Sequence, residues 1–230
     1  MRKLAISWLT LAGLLVVSGN SVLAFSLIGA ETVPEGKNGL RVGMGYPSIY
    51  AAYHIPVGPR LEIAPKFTFF YGWDTDTVIG NKLGAEIKLN LWREDELGLG
   101  LVFDSALVVA YHPELAIGFQ VGGPGLILSY TVEGQYSLIG GVKIPFGFVF
   151  FPDVPDYVPD FWASIPLLFV LGGEYSLSED LNLFAQLELG PDIIAASGQD
   201  RPARRNEKGD SDGTHVEFSP NFHLGVSYLF

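Results

Sequence analysis

The sequence predicts an all-β protein: a closed antiparallel up-and-down transmembrane β-barrel of about ten strands, with eight strands as the alternative. Large or apolar residues stand at every second position through one segment after another, the periodicity of strands with two unlike faces. Charged residues make up 17% of the chain, against about 25% in a typical soluble domain. No stretch after residue 24 is predicted as a spanning helix, which leaves the barrel as the fold that satisfies all backbone hydrogen bonds in lipid.

The alternating segments define the predicted strands. Their apolar rows run over 40–46, 49–55, 61–71, 83–91, 99–111, 126–132, 138–150, 165–177, 181–189 and 216–230. If 40–55 were one strand the total would be odd, whereas bacterial barrels normally have an even number of strands. A break at Pro47 makes the number even, because proline cannot donate a hydrogen bond to a neighbouring strand. The alternative with eight strands leaves one segment outside the barrel.

The connections between these rows alternate in length. Short turns are predicted at 56–59, 93–96, 133–135 and 178–180. Longer loops are predicted at 72–81, 112–125, 151–163 and 196–213. Short turns at one end and long loops at the other are typical of outer-membrane barrels.

The two ends of the chain indicate export. Arg2 and Lys3 precede an apolar run, and Val22-Leu23-Ala24 is an acceptable cleavage site, so residues 1–24 are predicted to be a signal peptide cleaved after Ala24. An uncleaved anchor is the alternative, but the apolar run is shorter than the roughly 20 residues that a spanning helix needs. Residues 25–37 are then a short N-terminal leader, and residues 38–230 are the barrel domain.

The last strand carries the most specific pattern. Its outer row contains a candidate C-terminal assembly signal, formed by Phe222, Leu224, Val226, Tyr228 and Phe230. It resembles the final strand of bacterial outer-membrane β-barrels, and the chain as a whole resembles the class of small barrels that includes the OmpA and OmpW types. That resemblance implies an outer-membrane location and insertion by the outer-membrane assembly machinery, which recognises the final strand.

Composition excludes several kinds of site. The chain has no cysteine, which rules out disulfides and thiolate ligands. Its formal net charge is −11, and loss of Arg2 and Lys3 with the signal peptide would change it to −13, so nucleic acid is not expected as a partner. We expect lipid and lipopolysaccharide as partners, a monomeric state and no cofactor.

The residues between the apolar rows are predicted to face the bore. The candidate polar network there consists of Arg41, Glu62, Lys66, Glu86, Lys88, Asp104, Lys143, Glu174, Glu188, Glu217 and His223. A barrel of this size has an interior just wide enough for side chains to fill it, and charges packed there must pair. The network therefore forms either a salt-bridged plug or the lining of a narrow water-filled pore.

No catalytic or metal site is predicted. His215 and His223 lie on one face of the last strand but eight residues apart, roughly 27 Å in an extended chain. Ser219 is about 13 Å from each of them for the same reason, and no convincing Ser–His pair is found. The expected function is structural or surface-interacting, without catalysis. The alternatives are a narrow passive channel, a lipid-modifying enzyme such as a lipid A or phospholipid acyl hydrolase, and a secreted lipocalin-like barrel with its apolar row inside.

Overall fold

The chain is a single antiparallel sheet closed on itself. The computed structural model describes residues 25–71, 79–112, 114–122, 124–132, 135–150, 161–197 and 214–230. Within these ranges no helix is long and apolar enough to cross a membrane. The strands are β1 (Gly39–Tyr46), β2 (Ser48–Gly58), β3 (Leu61–Phe70), β4 (Ile79–Glu94), β5 (Leu97–His112), β6 (Glu114–Val121), β7 (Gly125–Val132), β8 (Tyr136–Lys143), β9 (Phe146–Phe150), β10 (Phe161–Pro166), β11 (Leu168–Ser176), β12 (Leu181–Ser197) and β13 (Thr214–Leu229).

The strands form a ring of ten. Each of the pairs β6 with β7, β8 with β9, and β10 with β11 is one wall strand interrupted near its middle. For example, β5 pairs with β6 over 105–112 and with β7 over 97–102. The first strand, β1, pairs with the last, β13, over its whole length and closes the ring. Every neighbouring pair is antiparallel, so the predicted closed barrel of about ten strands is confirmed and the alternative of eight is wrong.

The break at Pro47 separates β1 from β2. Met44 pairs with Ile49, so only a tight turn joins the two strands. Proline at the turn has no N–H to offer the ladder, which is why the chain reverses there and does not continue as one long strand. The resulting hairpin makes the number of wall strands even.

The two rims of the barrel differ. The terminal rim carries residue 38, Phe230 and the turns that follow β2, β4, β7 and β11. The loop rim carries the Pro47 turn and the strand ends at Phe70, His112, Phe150 and Ser197. Of the predicted long loops, residues 72–78, 151–160 and 198–213 lie outside the described residues.

The long loop predicted at 112–125 is wrong. His112 pairs with Glu114, so the chain turns tightly and then forms β6. The alternation of Leu115, Ile117 and Phe119 is that of a strand whose apolar row faces outward, and all three side chains are exposed. Gly122, Pro124 and Gly125 mark an interruption within the wall strand, whereas their residue types predict part of a loop.

Candidate functional site

The bore of the barrel is divided into two halves. In the terminal half, toward the rim with both chain ends, residues 25–33 enter the barrel and fill it; we call them the inner segment. All but one of these residues are buried. In the loop half the bore remains open as a cavity of about 550 Å³. The polar side chains of the wall therefore face protein in one half and a cavity in the other.

The inner segment is bent, with Ile28 at its apex. The Gly29 amide donates to Ser26 Oγ at 2.7 Å, which holds the bend. Ile28 packs in an apolar cluster contributed by strands around the ring, and this cluster also forms part of the cavity floor. The other members of the cluster are Tyr50, Val102, Ile127, Ile139, Val170 and Phe184. A second cluster of Phe25, Leu27 and Val33 with Leu229 seals the segment against the terminal rim.

Wall side chains satisfy the backbone of the inner segment. A segment that pairs with no strand must find other hydrogen-bond partners once it is buried. These bonds run from Arg41 Nη1 to Leu27 O (2.9 Å), Lys88 Nζ to Leu27 O (3.3 Å), Asn90 Nδ2 to Ala30 O (3.0 Å), Asn182 Nδ2 to Phe25 O (2.5 Å), Ala30 N to Ser129 Oγ (3.3 Å) and Val33 N to Glu62 Oε2 (2.7 Å). The polar wall of the terminal half thus acts as a binding site for the chain's own segment.

Glycine in the wall makes room for the segment. A Cβ at Gly100 would lie 3.0 Å from Ala30 Cα, and one at Gly98 would lie 3.3 Å from Ala30 Cβ. The segment could not pass so close to β5 if these two positions carried larger side chains. The small residues on the inward face of β5 and the polar side chains that bond the inner segment therefore serve the same purpose, which is to accommodate that segment.

Glu62 is the centre of the buried charges in the terminal half. Its carboxylate lies 2.5 Å from His54 Nδ1 and 3.4 Å from Lys88 Nζ, and it also accepts the Val33 amide. The side chains of His54, Glu62 and Lys88 are at most 1% exposed. Higher in the bore, Arg41 Nη2 bonds both oxygens of Glu86, at 3.1 and 3.0 Å. These paired groups have exchanged hydration for fixed protein partners, as buried charges require.

The ion pairs of the loop half are only partly buried. Lys66 lies 3.1 Å from Asp104, with side chains 19% and 29% exposed. Lys143 lies 2.8 Å from Glu188, with 24% and 15% exposed. Lys82 donates to Gln120 at 3.0 Å. Both signs of charge therefore line one cavity, which reaches the loop rim at Pro47.

The cavity also contains a serine–histidine pair that the sequence analysis missed. Ser48 Oγ lies 3.0 Å from His223 Nε2, although 175 residues separate them in the chain. The His223 ring also packs edge-on against Tyr50, with 5.1 Å between ring centres. The pair forms because β13 and β2 both flank β1, so that the first residue of β2 meets the histidine two strands away. Only the closure of the ring brings these residues together.

The residues of the candidate polar network are shared between the two halves. Glu62 and Glu174 are buried in the terminal half. Lys88 is buried there too, bonds the inner segment and also borders the floor of the cavity. Arg41 and Glu86 lie at the boundary, where Arg41 bonds the inner segment and Glu86 contacts the cavity. The remaining members line the cavity of the loop half: Lys66, Asp104, Lys143, Glu188, Glu217 and His223.

The candidate assembly signal lies on the outer face of β13. Phe222, Leu224, Val226, Tyr228 and Phe230 are all exposed. Between them, Ser227 and Leu229 are buried toward the bore. Glu217 and His223 also face the cavity, whereas the side chain of His215 is not among those described.

No metal site is found in the described residues, where no group of three or more histidine or acidic side chains could hold an ion. No protein-family model matches the chain. A search of curated proteins returns no match either.

Proposed function

We propose that this protein is an integral outer-membrane β-barrel with a structural or surface-interaction role and without catalytic activity. The observation that carries the proposal is the outer face of the wall. Large apolar side chains are exposed on it around the whole ring, including Met44, Phe67, Leu83, Phe119, Leu138, Leu171, Val216 and Leu224. Monomeric soluble proteins rarely expose apolar patches larger than a few hundred Å². A surrounding lipid phase removes the cost of that exposure.

The rims support the same placement. Tyr71 and Tyr111 are exposed toward the loop rim, and Trp92, Tyr228 and Phe230 toward the terminal rim. Aromatic side chains at both ends of a wall are expected where their rings lie at headgroup depth. Three further aromatic residues that neighbour loop-rim strand ends in the sequence, Trp73, Phe151 and Trp162, lie outside the residues whose side chains are described.

The proposed partners follow from this location. Lipid and lipopolysaccharide would surround the apolar wall. The outer-membrane assembly machinery would recognise the exposed row of β13 after removal of residues 1–24. We propose a monomer, because the apolar belt is accounted for by lipid. A lipocalin-like barrel would need its apolar row in the bore, where the described charges of Arg41, Glu62 and Lys88 lie.

A passive channel is less well supported than a closed barrel. The inner segment occupies the terminal half, and its contacts reach from β1 to β12. A solute entering from the loop rim would meet Ile28 and its apolar cluster at the floor of the cavity. We therefore expect the native protein to be silent in planar bilayers, and steady single-channel conductance would contradict the closed-barrel proposal.

The decisive experiment is electrophoresis of the protein extracted from outer-membrane fractions. Folded barrels migrate differently before and after boiling, so we expect a heat-dependent shift together with recovery in the outer membrane. A form that is soluble without detergent and shows no shift would overturn the proposal.

A second candidate, an acyl hydrolase, is favoured by one specific observation, the Ser48–His223 hydrogen bond. A serine paired with an imidazole is the arrangement used for nucleophilic catalysis. Treatment with a fluorophosphonate probe tests this directly. Labelling that is lost in Ser48→Ala and in His223→Gln would establish the hydrolase and refute the non-catalytic role, whereas absence of labelling would dismiss the hydrolase.

A further inference from the structure

A buried group of hydrogen-bond acceptors lies where the inner segment begins. Glu174 on β11 and Asn182 on β12 both point into the terminal half and are 4% and 0% exposed. Ser227 Oγ donates to Glu174 Oε1 at 2.9 Å. Among the described residues, neither Glu174 Oε2 nor Asn182 Oδ1 has a hydrogen-bond donor. Unsatisfied buried acceptors are uncommon, and each one calls for a partner.

The start of the inner segment lies directly on these side chains. Asn182 Nδ2 donates to the Phe25 carbonyl at 2.5 Å, which brings the main chain of Phe25 against the amide. Ser227, which donates to Glu174, is the strand partner of Asn182, so the Glu174 carboxyl group lies beside the same side chain. The nitrogen of Phe25 belongs to the residue whose carbonyl Asn182 binds.

In the terminal half, the buried carboxylates outnumber the lysine and arginine side chains that pair with them. Arg41 is engaged with Glu86, and Lys88 with Glu62. Among the described residues no lysine or arginine forms an ion pair with Glu174 or with Glu31, and Glu31 Oε2 is likewise buried without a donor. Ser26 and Glu31 lie together, since a Cβ at Gly29 would be 2.5 Å from Ser26 Oγ and 2.7 Å from Glu31 Oε2. Two buried carboxylates thus approach the first residues of the inner segment, and a buried carboxylate without a cation is costly.

We infer that this group of acceptors is a binding site for the α-ammonium group of the processed chain. The inference rests on the proposed export and on cleavage after Ala24. Hydrolysis of the Ala24–Phe25 bond by a signal peptidase adds one water molecule, leaving a carboxylate on Ala24 and an α-ammonium on Phe25. That ammonium binds Glu174 Oε2 and Asn182 Oδ1.

Processing then changes the chemistry of the segment. Before cleavage, Phe25 offers one amide N–H and no charge. After cleavage it offers three donors and one positive charge, which matches two unsatisfied acceptors and an unbalanced carboxylate. Hydrogen bonds between charged groups are roughly twice as strong as those between neutral ones. The mature chain therefore docks its inner segment more firmly than the precursor does.

The first test labels the α-amine of the native protein. Intact mass of the extracted protein identifies its first residue, and an amine-reactive ester is applied near neutral pH to folded and boiled samples. We expect a first residue of Phe25 and an α-amine that reacts roughly tenfold or more slowly in the folded barrel. Glu174→Gln should remove much of this protection, whereas Glu188→Gln, a matched change in the loop half, should preserve it. A first residue other than Phe25, or equal labelling of folded and boiled samples, would overturn the inference.

A second test separates the charge from the mere presence of the segment. Mature chains with a free or an acetylated Phe25 are refolded in detergent, in the native sequence and in Glu174→Gln. Acetylation should lower the folded fraction in the native sequence and have a several-fold smaller effect in Glu174→Gln. Equal effects in both backgrounds would refute the site. The proposed site and the proposed function can fail separately. A barrel that shifts on heating but fails both amine tests would refute the site and leave the proposed function intact.

Discussion

The two halves of the bore use similar residues to different ends. In the terminal half, Glu62 and Lys88 are almost completely buried and bound to the inner segment or to each other. In the loop half, Lys143 and Glu188 form a pair of the same kind, yet both side chains retain contact with the cavity. The alternation of inward polar residues is the same in both halves. The difference shows that the inner segment, which fills only one half of the bore, determines whether a charged side chain is fully buried or partly exposed. The sequence pattern of the wall does not determine it.

A charge at the apex of the inner segment should cause the largest loss of stability. Ile28→Asp would place a carboxylate in the apolar cluster with Ile127 and Val170. An unpaired buried charge should lower the free energy of unfolding by at least about 3 kcal/mol. The heat-shift midpoint in detergent measures this. Ile28→Val is the control and should cost about 0.5–1.5 kcal/mol; equal midpoints for the two variants would mean that the segment does not fill the bore.

Neutralising one carboxylate in each half compares the halves directly. Glu62→Gln leaves Lys88 buried without a counter-charge and should cost about 3–5 kcal/mol. Glu188→Gln leaves Lys143 in contact with the cavity and should cost about 1 kcal/mol or less. Equilibrium unfolding in detergent gives both values. Similar losses would contradict the division of the bore into a dry and a hydrated half.

Cysteine labelling measures the access of water to each half. The natural chain has no cysteine, so single substitutions report without background. Gln186→Cys lines the cavity, whereas Ser137→Cys is buried in the terminal half. A small charged thiol reagent should react at least about a hundredfold faster at the first position, because reaction at the second requires local opening. Comparable rates would show that water reaches both halves.

The smallest effect is expected at the terminal rim. Lys37 lies 2.6 Å from Asp180, but both side chains are nearly half exposed. Lys37→Gln should change the unfolding free energy by less than about 1 kcal/mol, since exposed ion pairs contribute little. The same unfolding experiment checks it. A loss as large as that of Glu62→Gln would mean that the ion pair outside the bore, and not the buried groups inside it, holds the segment in place.

Sequence periodicity predicts the wall far better than the contents of the bore. Alternation along single strands, with proline at residue 47, is a local signal, and it is sufficient for the ring of ten strands. It failed at 112–125, where glycine and proline inside a wall strand resemble the chemistry of a loop. The turn signals alone cannot separate an interrupted strand from the end of one.

The missed contacts are long-range. The inner segment has neither strand nor helix periodicity, and its anchors are distant in the chain: Ala30 is 99 residues from Ser129, and Phe25 is 157 from Asn182. The Ser48–His223 pair is separated by 175 residues. Such partners follow from closure of the ring and not from any local pattern. The sequence of the N-terminal leader did contain one indication that it is buried. Exposure of its apolar residues to water would be costly, and these are Phe25, Leu27, Ile28 and Val33.

The inner segment also sets an order of events. Its anchors are supplied by β1, β3, β4, β7 and β12, and Leu229 of β13 completes its seal. These groups surround one point only after the first and last strands have met. The inner segment, which comes first among the described residues, can therefore complete its contacts only after the last strand is in place. The wall can assemble while the terminal half of the bore is still empty. Docking of the inner segment in that half then completes the folding of the chain.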